Sequence, residues 1–361
     1  LDGANDVLQV SQSSGNVELD NVFAGAGRLE VLGTGEDTDQ SFSFSSTWEN
    51  PADFTGTLSL KNGIDMTVGG VVGSIGANNA ANLTNADLEL DNSVTLTVAQ
   101  QATVVDTFDE LLVNGGTISF AGEFGLGVSP SALAQLQVGS LSGSGNIALA
   151  IPSGNGETVD QTIEQNELLT VDKAGAGLFQ ALITVDSGSV SADGWTLNGS
   201  DETSGEGLRQ AVTAGIDPVA HAIYDYRLTT GDIDQGTDNA LGVGYDLTAV
   251  DILDGKTLTL SDSGALGATI ENSSGAGNLT ITGQIELTGQ NTYSGATLVS
   301  GSNAELTVSA SGLGSTSSLT LETGVAFFNA GANAVGYLDA VGAGITLNNV
   351  FTVKGTSDSR I

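Results

Sequence analysis

The chain has 361 residues, of which 51 are Gly and 4 are Pro, and its 43 acidic and 8 basic residues give a formal net charge of −35. Such an excess of carboxylates repels phosphate backbones and anionic lipid headgroups, which argues against nucleic acid as a partner. The absence of Cys excludes disulfides and thiolate metal sites, and the scarcity of Pro argues against a disordered linker or a collagen.

Short stretches in which apolar and polar residues alternate recur along the chain. This period of two is typical of strands with one buried face, and it predicts an all-β protein. Gly, Ser or Asn, which accept turn geometry, follow most of these stretches. The clearest of them are Leu29–Val31, Leu58–Leu60, Ile64–Val68, Leu88–Leu90, Val94–Val98, Ile118–Phe120, Leu258–Leu260, Leu279–Ile281, Ile285–Leu287, Leu306–Val308, Leu319–Leu321 and Ile345–Leu347.

Two architectures accommodate many short strands with Gly-rich turns, a sandwich or barrel and a parallel β-helix. Asn-Gly and Asp-Gly pairs, as at Asn62 and Asn198, are compatible with the hairpins of a sandwich. The parallel β-helix is favoured by Thr and Ser at outward positions, by corners without Pro and by an even supply of Val, Leu and Ile. The sequence therefore predicts a right-handed parallel β-helix with three strands per coil.

The alternation is interrupted between residues 156 and 238. Leu208, Val212 and Ile216 have helical spacing, and Asp217-Pro218 has the sequence of a helix N-cap followed by Pro. We therefore expect coils over residues 1–155, a protruding loop or small helical segment over 156–238, and further coils over 239–361. Ser129-Pro130 predicts another helical turn for the same reason.

Residues 287–301, LTGQNTYSGATLVSG, resemble the passenger-associated repeat of bacterial autotransporters of type Va secretion. A shorter segment echoes this repeat in Asn50, Phe54, Thr55, Gly56 and Thr57. Residues 224–322 as a whole are similar to adhesin passengers of the AIDA and antigen-43 type. The residues that match the repeat are Gly289, Asn291, Thr292, Tyr293, Ser294, Gly295, Thr297, Val299 and Gly301.

The resemblance implies an excised passenger displayed outside a Gram-negative outer membrane, without the signal peptide and the C-terminal membrane barrel of that family. The lack of Cys is compatible with this location, because a premature disulfide would block passage through the periplasm. The implied function is adhesion, to a host extracellular-matrix protein, to a surface glycan or to another copy in aggregation and biofilm formation. We expect no enzymatic activity, no cofactor and no metal.

Aromatic and cationic side chains, which dominate binding hot spots, are concentrated in the interrupted region. They predict partner contact there, and the alternative is that they dock this region onto the coils. The predicted partner-binding residues are Arg209, His221, Tyr224, Tyr226 and Arg227. A second hypothesis places polar contacts to an identical copy along an outward face of Asn, Asp and Thr, which otherwise serves solvation.

Catalytic and metal-binding patterns are incomplete. Asp186-Ser187-Gly188 resembles the start of a nucleophile turn, but His221, the chain's one His, follows it where a chymotrypsin-like order needs it to precede. The carboxylates of residues 232–238 and of Asp2 and Asp6 are spaced as in calcium loops but lack the terminal Glu or the stacked repeats. A carbohydrate-active β-helix with paired carboxylates is the alternative function.

Overall fold

The computed structural model describes residues 1, 3–11, 13–19, 24–35, 40–44, 54–68, 77–78, 83, 85–99, 106–123, 133–150, 162–169, 178–199, 204–231, 238–301, 303–309, 313–322, 325–329, 335–339 and 345–348. In these ranges the regular elements are strands, and helical backbone is confined to Leu168 and Leu169. The prediction of an all-β protein is therefore confirmed.

The described strands have at most five residues, apart from six longer ones between residues 106 and 252. They are β1 (Val7–Ser11), β2 (Asn16–Leu19), β3 (Arg28–Leu32), β4 (Ser41–Phe44), β5 (Thr57–Lys61), β6 (Asp65–Val68), β7 (Ala77–Asn78), β8 (Asp87–Asp91), β9 (Thr95–Val98), β10 (Asp106–Glu123), β11 (Leu136–Ala150), β12 (Ile163–Glu164), β13 (Leu178–Val185), β14 (Thr196–Leu197), β15 (Ser204–Ala214), β16 (Asp217–Gly231), β17 (Ala240–Ile252), β18 (Thr257–Leu260), β19 (Gly264–Leu266), β20 (Thr269–Glu271), β21 (Asn278–Ile281), β22 (Gln284–Leu287), β23 (Ala296–Val299), β24 (Glu305–Ser309), β25 (Ser318–Leu321), β26 (Val325–Asn329), β27 (Val335–Asp339) and β28 (Ile345–Asn348).

The chain forms two compact units. Unit 1 comprises Leu1–Pro152, Phe179–Gly205 and Arg227–Gly244. Unit 2 comprises Ser153–Leu178, Glu206–Tyr226 and Tyr245–Ile361. Strands β13, β15, β16 and β17 therefore contribute residues to both units.

Unit 1 contains two parallel ladders of strands. Ladder A joins β1, β3, β5, β8, β10, β11 and β13. Ladder B joins β2, β4, β6, β9, β10, β11 and β14. The chain returns to ladder A after about 20 to 30 residues, since Val7 pairs with Arg28, Arg28 with Thr57 and Thr57 with Asp87.

Strands β10 and β11 belong to both ladders of unit 1 because each bends in its middle. The register of β10 shifts between Asn114 and Thr117, where Gly115 has φ 84°. Gly143 has φ 80° at the corresponding bend of β11. Glycine takes these left-handed conformations without the steric cost of a Cβ, so one strand can pass from ladder A to ladder B.

Inward side chains of unit 1 form columns of residues in register. Leu29 pairs with Leu58, Leu58 with Leu88 and Leu88 with Leu111, and all four are buried. Burying such a side chain stabilises the fold by roughly 1.5–3 kcal/mol. A parallel column runs through ladder B and consists of Met66, Leu96, Ile118, Ile147 and Leu197.

One corner of unit 1 requires glycine because successive passes of the chain nearly touch there. Thr57 donates its backbone N–H to the oxygen of Gly27, and Asp87 donates to the oxygen of Gly56. A Cβ on Gly56 would collide with the backbone oxygen of Gly27, which belongs to a paired segment and cannot move away cheaply. The small residues at this corner therefore set how closely two passes of the chain approach.

Unit 2 contains two further ladders. Ladder C joins β18, β21, β23, β25 and β28, and ladder D joins β19, β22, β24, β26 and β27. Pairing is parallel in both ladders until their last strands. Strand β28 lies antiparallel to β25, and β27 lies antiparallel to β26.

The segment that resembles the passenger-associated repeat links successive passes of the chain in unit 2. Asn291 accepts a hydrogen bond from the backbone N–H of Ile270 through Oδ1, at 2.7 Å. Tyr293 is fully buried, and its hydroxyl lies 2.7 Å from the hydroxyl of Thr297. Gly295 lies so close to the backbone oxygen of Gly277 that a Cβ would not fit.

The shorter segment at residues 54–56 has the same local arrangement in unit 1. Phe54 is buried and, two residues later, Gly56 makes the close backbone approach already described. An aromatic residue that fills the interior beside a corner, followed by a Gly that allows close stacking, is thus common to both segments. Asn50 lies outside the described residues.

The small helical segment, one of the two expectations for the interrupted region, does not form at Leu208, Val212 and Ile216 or after Asp217-Pro218. Residues 204–214 form β15, the two-residue turn Gly215-Ile216 follows, and Asp217 begins β16. Gly215 has φ 70°, as short hairpin turns require. Leu208 and Val212 are buried strand residues, whereas Ile216 is 94% exposed at the turn. The helical turn predicted at Ser129-Pro130 lies outside the described residues.

Replacing Gly56 by Ala should lower the free energy of unfolding by roughly 1–3 kcal/mol, because the added Cβ forces two backbone segments apart. Urea unfolding followed by circular dichroism measures this change. Gly3→Ala is the matched control, since a Cβ there meets the Asp6 carboxylate at an ordinary 3.5 Å. Equal unfolding midpoints for the two variants would contradict the close approach of residues 27 and 56.

Candidate functional site

The five residues predicted for partner contact all lie in β15 or β16. Arg227 is exposed, Tyr226 and His221 are half-buried, and Arg209 is half-buried in β15. Tyr224 is 1% exposed and belongs to the core. Of the five predicted residues, the other four therefore reach the surface of this segment.

Tyr224 is held by contacts within unit 2. Its hydroxyl donates to Oε1 of Gln210 at 3.1 Å, and its ring meets that of Tyr245 edge to face, with centroids 5.8 Å apart. Burial raises the pKa of the Tyr224 hydroxyl far above its usual range, and the neighbouring Tyr245 raises it further. Tyr224 therefore stays a protonated hydrogen-bond donor inside the unit.

Arg209 forms an ion pair with a buried carboxylate. Its Nη1 lies 3.4 Å from Oδ2 of Asp251, which is 1% exposed. Asp251 also accepts hydrogen bonds from the backbone N–H of Ser273 at 2.7 Å and from the Ser273 hydroxyl. This arrangement satisfies the buried charge and ties β15 to β17 within unit 2.

The outward side of ladder A carries a network of charged groups. Arg28 contacts the carboxylates of Glu30 and Glu89, and Nζ of Lys61 lies 3.1 Å from Oε1 of Glu30. Ser59 donates to Oε2 of Glu89 at 2.8 Å. The Lys61 hydrogen bond is the main cause that lowers the pKa of Glu30, and Gln9 and Arg28 add to it. We call this surface the charged face, and it also includes Asp87, Asp91, Glu110 and Asn114.

The outward side of ladder B carries the exposed Glu18 on β2, but it is different in character over β6, β9, β10, β11 and β14. In one row Thr95 pairs with Thr117, Thr117 with Asn146 and Asn146 with Thr196. In the next row Thr67 pairs with Thr97 and Thr97 with Ser119. We call these positions the hydroxyl face, and it consists of Asp65, Thr67, Thr95, Thr97, Thr117, Ser119, Asn146, Ala148 and Thr196, all half-buried.

Hydrogen bonds fix several side chains of the hydroxyl face. Oδ1 of Asn146 accepts from the Thr196 hydroxyl at 3.1 Å and from the backbone N–H of Gly199 at 2.7 Å. The Asn146 amide donates to the Thr117 hydroxyl at 3.4 Å. The row is therefore a pre-ordered array of hydroxyl and amide groups, each of which can both donate and accept.

Asp65 carries the one carboxylate among the nine positions of the hydroxyl face. Its Oδ1 accepts a hydrogen bond from the backbone N–H of Thr95 at 2.8 Å. Burial raises the pKa of Asp65, and the hydrogen bonds from Thr95 partly oppose this. On ladder A, burial also raises the pKa of Asp87, with added repulsion from Glu110 and Asp109.

Among the residues that the structure describes, which do not include Asp2, the remaining sequence candidates do not come together as chemical sites. The Ser187 hydroxyl donates to the backbone oxygen of Gly139 at 3.1 Å in an exposed turn. Asp6 accepts from the N–H of Gly3 at 3.0 Å, and residues 232–237 lie outside the described part. Across the described ranges, no cluster of three or more acidic or His side chains is arranged to hold a metal ion. Nor does any helix there have the length and apolarity needed to cross a membrane.

Lys61→Met should raise the pKa of Glu30 towards its usual value, because the main hydrogen bond that favours its ionised form is lost. NMR titration of the Glu30 carboxyl measures this. A lowered pKa in the folded state contributes stability above the unfolded pKa that is lost as pH falls through the folded value. The stability difference between the two proteins should therefore be present at neutral pH and vanish in acid.

Lys256→Met is the control for that titration, since Lys256 is exposed and its removal changes the net charge by the same amount. An unchanged Glu30 pKa in Lys61→Met, or an equal shift in both variants, would contradict the assigned contact.

No family of known proteins matches the chain, and no solved structure matches it. It is 29% identical over 306 residues to the uncharacterized lipoprotein YdeK of Escherichia coli K12. This alignment covers 77% of this chain and 21% of the relative. It is also 29% identical over 293 residues to the uncharacterized protein YuaQ of the same organism, in an alignment that covers 78% of this chain and 19% of that relative. The chain thus spans about a fifth of the length of these relatives.

Proposed function

We propose that the chain is part of a non-enzymatic adhesin of the cell envelope, in which copies associate side by side through the hydroxyl face. The observation that carries this proposal is the segregation of charge in unit 1. The chain has 43 acidic residues, yet the nine positions of the hydroxyl face include a single carboxylate. A surface kept nearly free of charge on so acidic a protein is suited to contact with another acidic surface.

The fold that we propose for this adhesin is a right-handed parallel β-helix. Parallel ladders in which the chain returns after about 20 to 30 residues support it, as do the aliphatic columns in register. Parallel strands joined by a crossover are right-handed in nearly all proteins, which supports the proposed hand. Stacked coils of this kind present their outward residues as long rows at a regular spacing of about 4.8 Å.

Electrostatics favours the hydroxyl face over the charged face as the contact surface. Two copies that each carry a formal charge of −35 repel one another, and this repulsion is screened beyond about 8 Å at physiological salt. Contact through the charged face would bring Asp87, Asp91 and Glu110 against carboxylates of the other copy. Contact through the hydroxyl face brings few charges together at short range.

The hydroxyl face also suits association with a copy of itself. Because a hydroxyl both donates and accepts, two identical rows of Thr and Asn can pair without complementary chemistry. One such hydrogen bond contributes on the order of 1 kcal/mol, and repetition along a row sums these small terms. Repetition rather than any single strong contact therefore supplies the proposed affinity.

The comparisons support a location in the cell envelope. One relative of this chain, YdeK, is named a lipoprotein. The resemblance of residues 287–301 to the passenger-associated repeat supports display at the outer surface, where adhesion to other cells, to matrix proteins or to glycans takes place. We propose this location and these partner classes together with the self-association.

Thr97→Asp should weaken self-association of the purified chain at least about tenfold, which corresponds to roughly 1.4 kcal/mol. The variant places a second carboxylate in the middle of the hydroxyl face, where contact would strip it of water. Sedimentation velocity over a concentration series measures the association, and settling of cells that display the chain reports the same property at a surface. Raising the salt concentration should strengthen association of the unaltered chain, because screening reduces the repulsion between copies.

Thr307→Asp is the matched control. Thr307 is also a half-buried outward residue in a Leu-Thr-Val strand segment, but it lies in ladder D, where Glu286 is its paired neighbour. Its association should equal that of the unaltered chain, and circular dichroism should show that both variants are folded. The proposal fails if the chain stays monomeric at all concentrations or if both variants associate equally.

A further inference from the structure

Asp65 occupies a position on the hydroxyl face where its charge stands apart from other charges. It pairs with Ser41 of β4, and Thr95 of β9 donates its backbone N–H to the Asp65 carboxylate. The described outward residues of β4 are Ser41 and Ser43, and those of β9 are Thr95 and Thr97, none of which is charged. Strand β7, which also pairs with β6, consists of the uncharged Ala77 and Asn78. The carboxylate of Glu18 lies one strand further away, on β2, where Glu18 pairs with Ser43. Thr67, the other outward residue of β6, is also uncharged.

The nearest charged residues in sequence belong to the charged face. Lys61, four residues before Asp65, directs its ammonium group to Glu30 of ladder A. Asp91 precedes β9 and accepts a hydrogen bond from the backbone N–H of Asn92 through Oδ1. Lys61 is therefore engaged by Glu30 rather than by Asp65, and Asp91, as another acidic residue, cannot neutralise the Asp65 carboxylate.

We propose that Asp65 makes association through the hydroxyl face sensitive to acid, because uptake of one proton by this carboxylate leaves the face without charge. This inference rests on the proposed self-association. It adds a regulatory property that neither the adhesin resemblance nor the aligned Thr residues imply. Copies of the chain therefore associate weakly at neutral pH and more tightly in a mildly acidic medium.

The direction of the effect follows from burial. A carboxylate loses hydration when it is enclosed, and an isolated charge in a low-dielectric surrounding is costly. Partial burial already raises the pKa of Asp65 in the single chain. Covering the face with a second copy removes more water and raises this pKa further. Since the associated form then binds the proton more tightly than the free form, association must strengthen as pH falls.

A fall in pH also reduces the net charge of the whole chain, so acid-strengthened association by itself does not identify Asp65. The substitution Asp65→Asn separates the two effects. Asn keeps the Oδ1 acceptor for the Thr95 N–H and nearly the same shape, but it carries no charge at any pH. It mimics the protonated form while the other 42 carboxyl groups titrate as before.

The test measures dissociation constants by sedimentation velocity between pH 7.5 and pH 4.5 at constant ionic strength. We expect Asp65→Asn to associate about three- to tenfold more tightly than the unaltered chain at pH 7.5, and the two proteins to converge in acid. Asp193→Asn is the matched control, because Asp193 lies in an exposed turn of unit 1. It should follow the unaltered chain at every pH.

Three outcomes are decisive. If the unaltered chain associates and Thr97→Asp abolishes this, but Asp65→Asn behaves like Asp193→Asn, then the role of Asp65 is overturned and the proposed function stands. If no protein associates at any pH, both proposals are overturned. If Asp65→Asn is shown to unfold by circular dichroism, Asp65→Ser provides the same neutralisation with a smaller side chain, and the same comparison with Asp193→Asn decides.

Discussion

Inward side chains that lie directly over one another in register are the interaction on which both units depend. In ladder A the column of Leu29, Leu58, Leu88 and Leu111 is continuous, and each member is buried by the passes of chain above and below it. Burial of this kind, at roughly 1.5–3 kcal/mol per side chain, is the main favourable contribution to folding. No pass of the chain can bury its own apolar residues alone, so the register between passes is fixed by the core.

The same register leaves the outward residues free to differ between ladders. Strand β8 turns Asp87, Glu89 and Asp91 outward, whereas β9 turns Thr95 and Thr97 outward, although both strands bury leucine in the same way. Since β8 belongs to ladder A and β9 to ladder B, their outward residues join different rows. Carboxylates that are evenly dispersed in the sequence are thereby segregated in space. The interior specifies the fold, and the faces carry the properties that a partner meets.

Much of this fold could be predicted from the sequence because strand burial has a period of two. The stretches at Leu88–Leu90, Leu258–Leu260 and Leu279–Ile281 are strands with alternating burial, as predicted. The helical alternative for the region of Leu208, Val212 and Ile216 was wrong because a spacing of four residues is a multiple of two as well as close to one helical turn. Leu208 and Val212 therefore fit both the strand period and the helix period. The turn at Gly215-Ile216 lies between two strands and shows that the strand period applies.

The hydroxyl face could be predicted as a kind of surface but not as a set of residues. Which outward residues become neighbours depends on the length of each pass, and these lengths vary: Arg28 pairs with Thr57, but Leu88 pairs with Leu111. A local pattern such as Thr95-Leu-Thr97 shows that two Thr residues share a side of one strand. It does not show that Thr117 and Ser119 continue the rows. The burial of Tyr224, by contrast, depends on Tyr245 and Gln210, which spacing alone does not bring together.

When a surface binds through many repeated weak contacts, the loss of one hydroxyl and the gain of one carboxylate have unequal effects on the proposed association. Loss of one hydroxyl removes a contact worth on the order of 1 kcal/mol from a row that retains its other members. Gain of one carboxylate adds a charge that must lose its water, and this cost exceeds that of several such contacts. For the proposed association, freedom from charge is therefore the property of the hydroxyl face that matters most, and the identity of any one Thr or Ser matters less. For the same reason we expect Asp65, the single exception on this face, to influence the proposed contact more than its hydroxyl neighbours do.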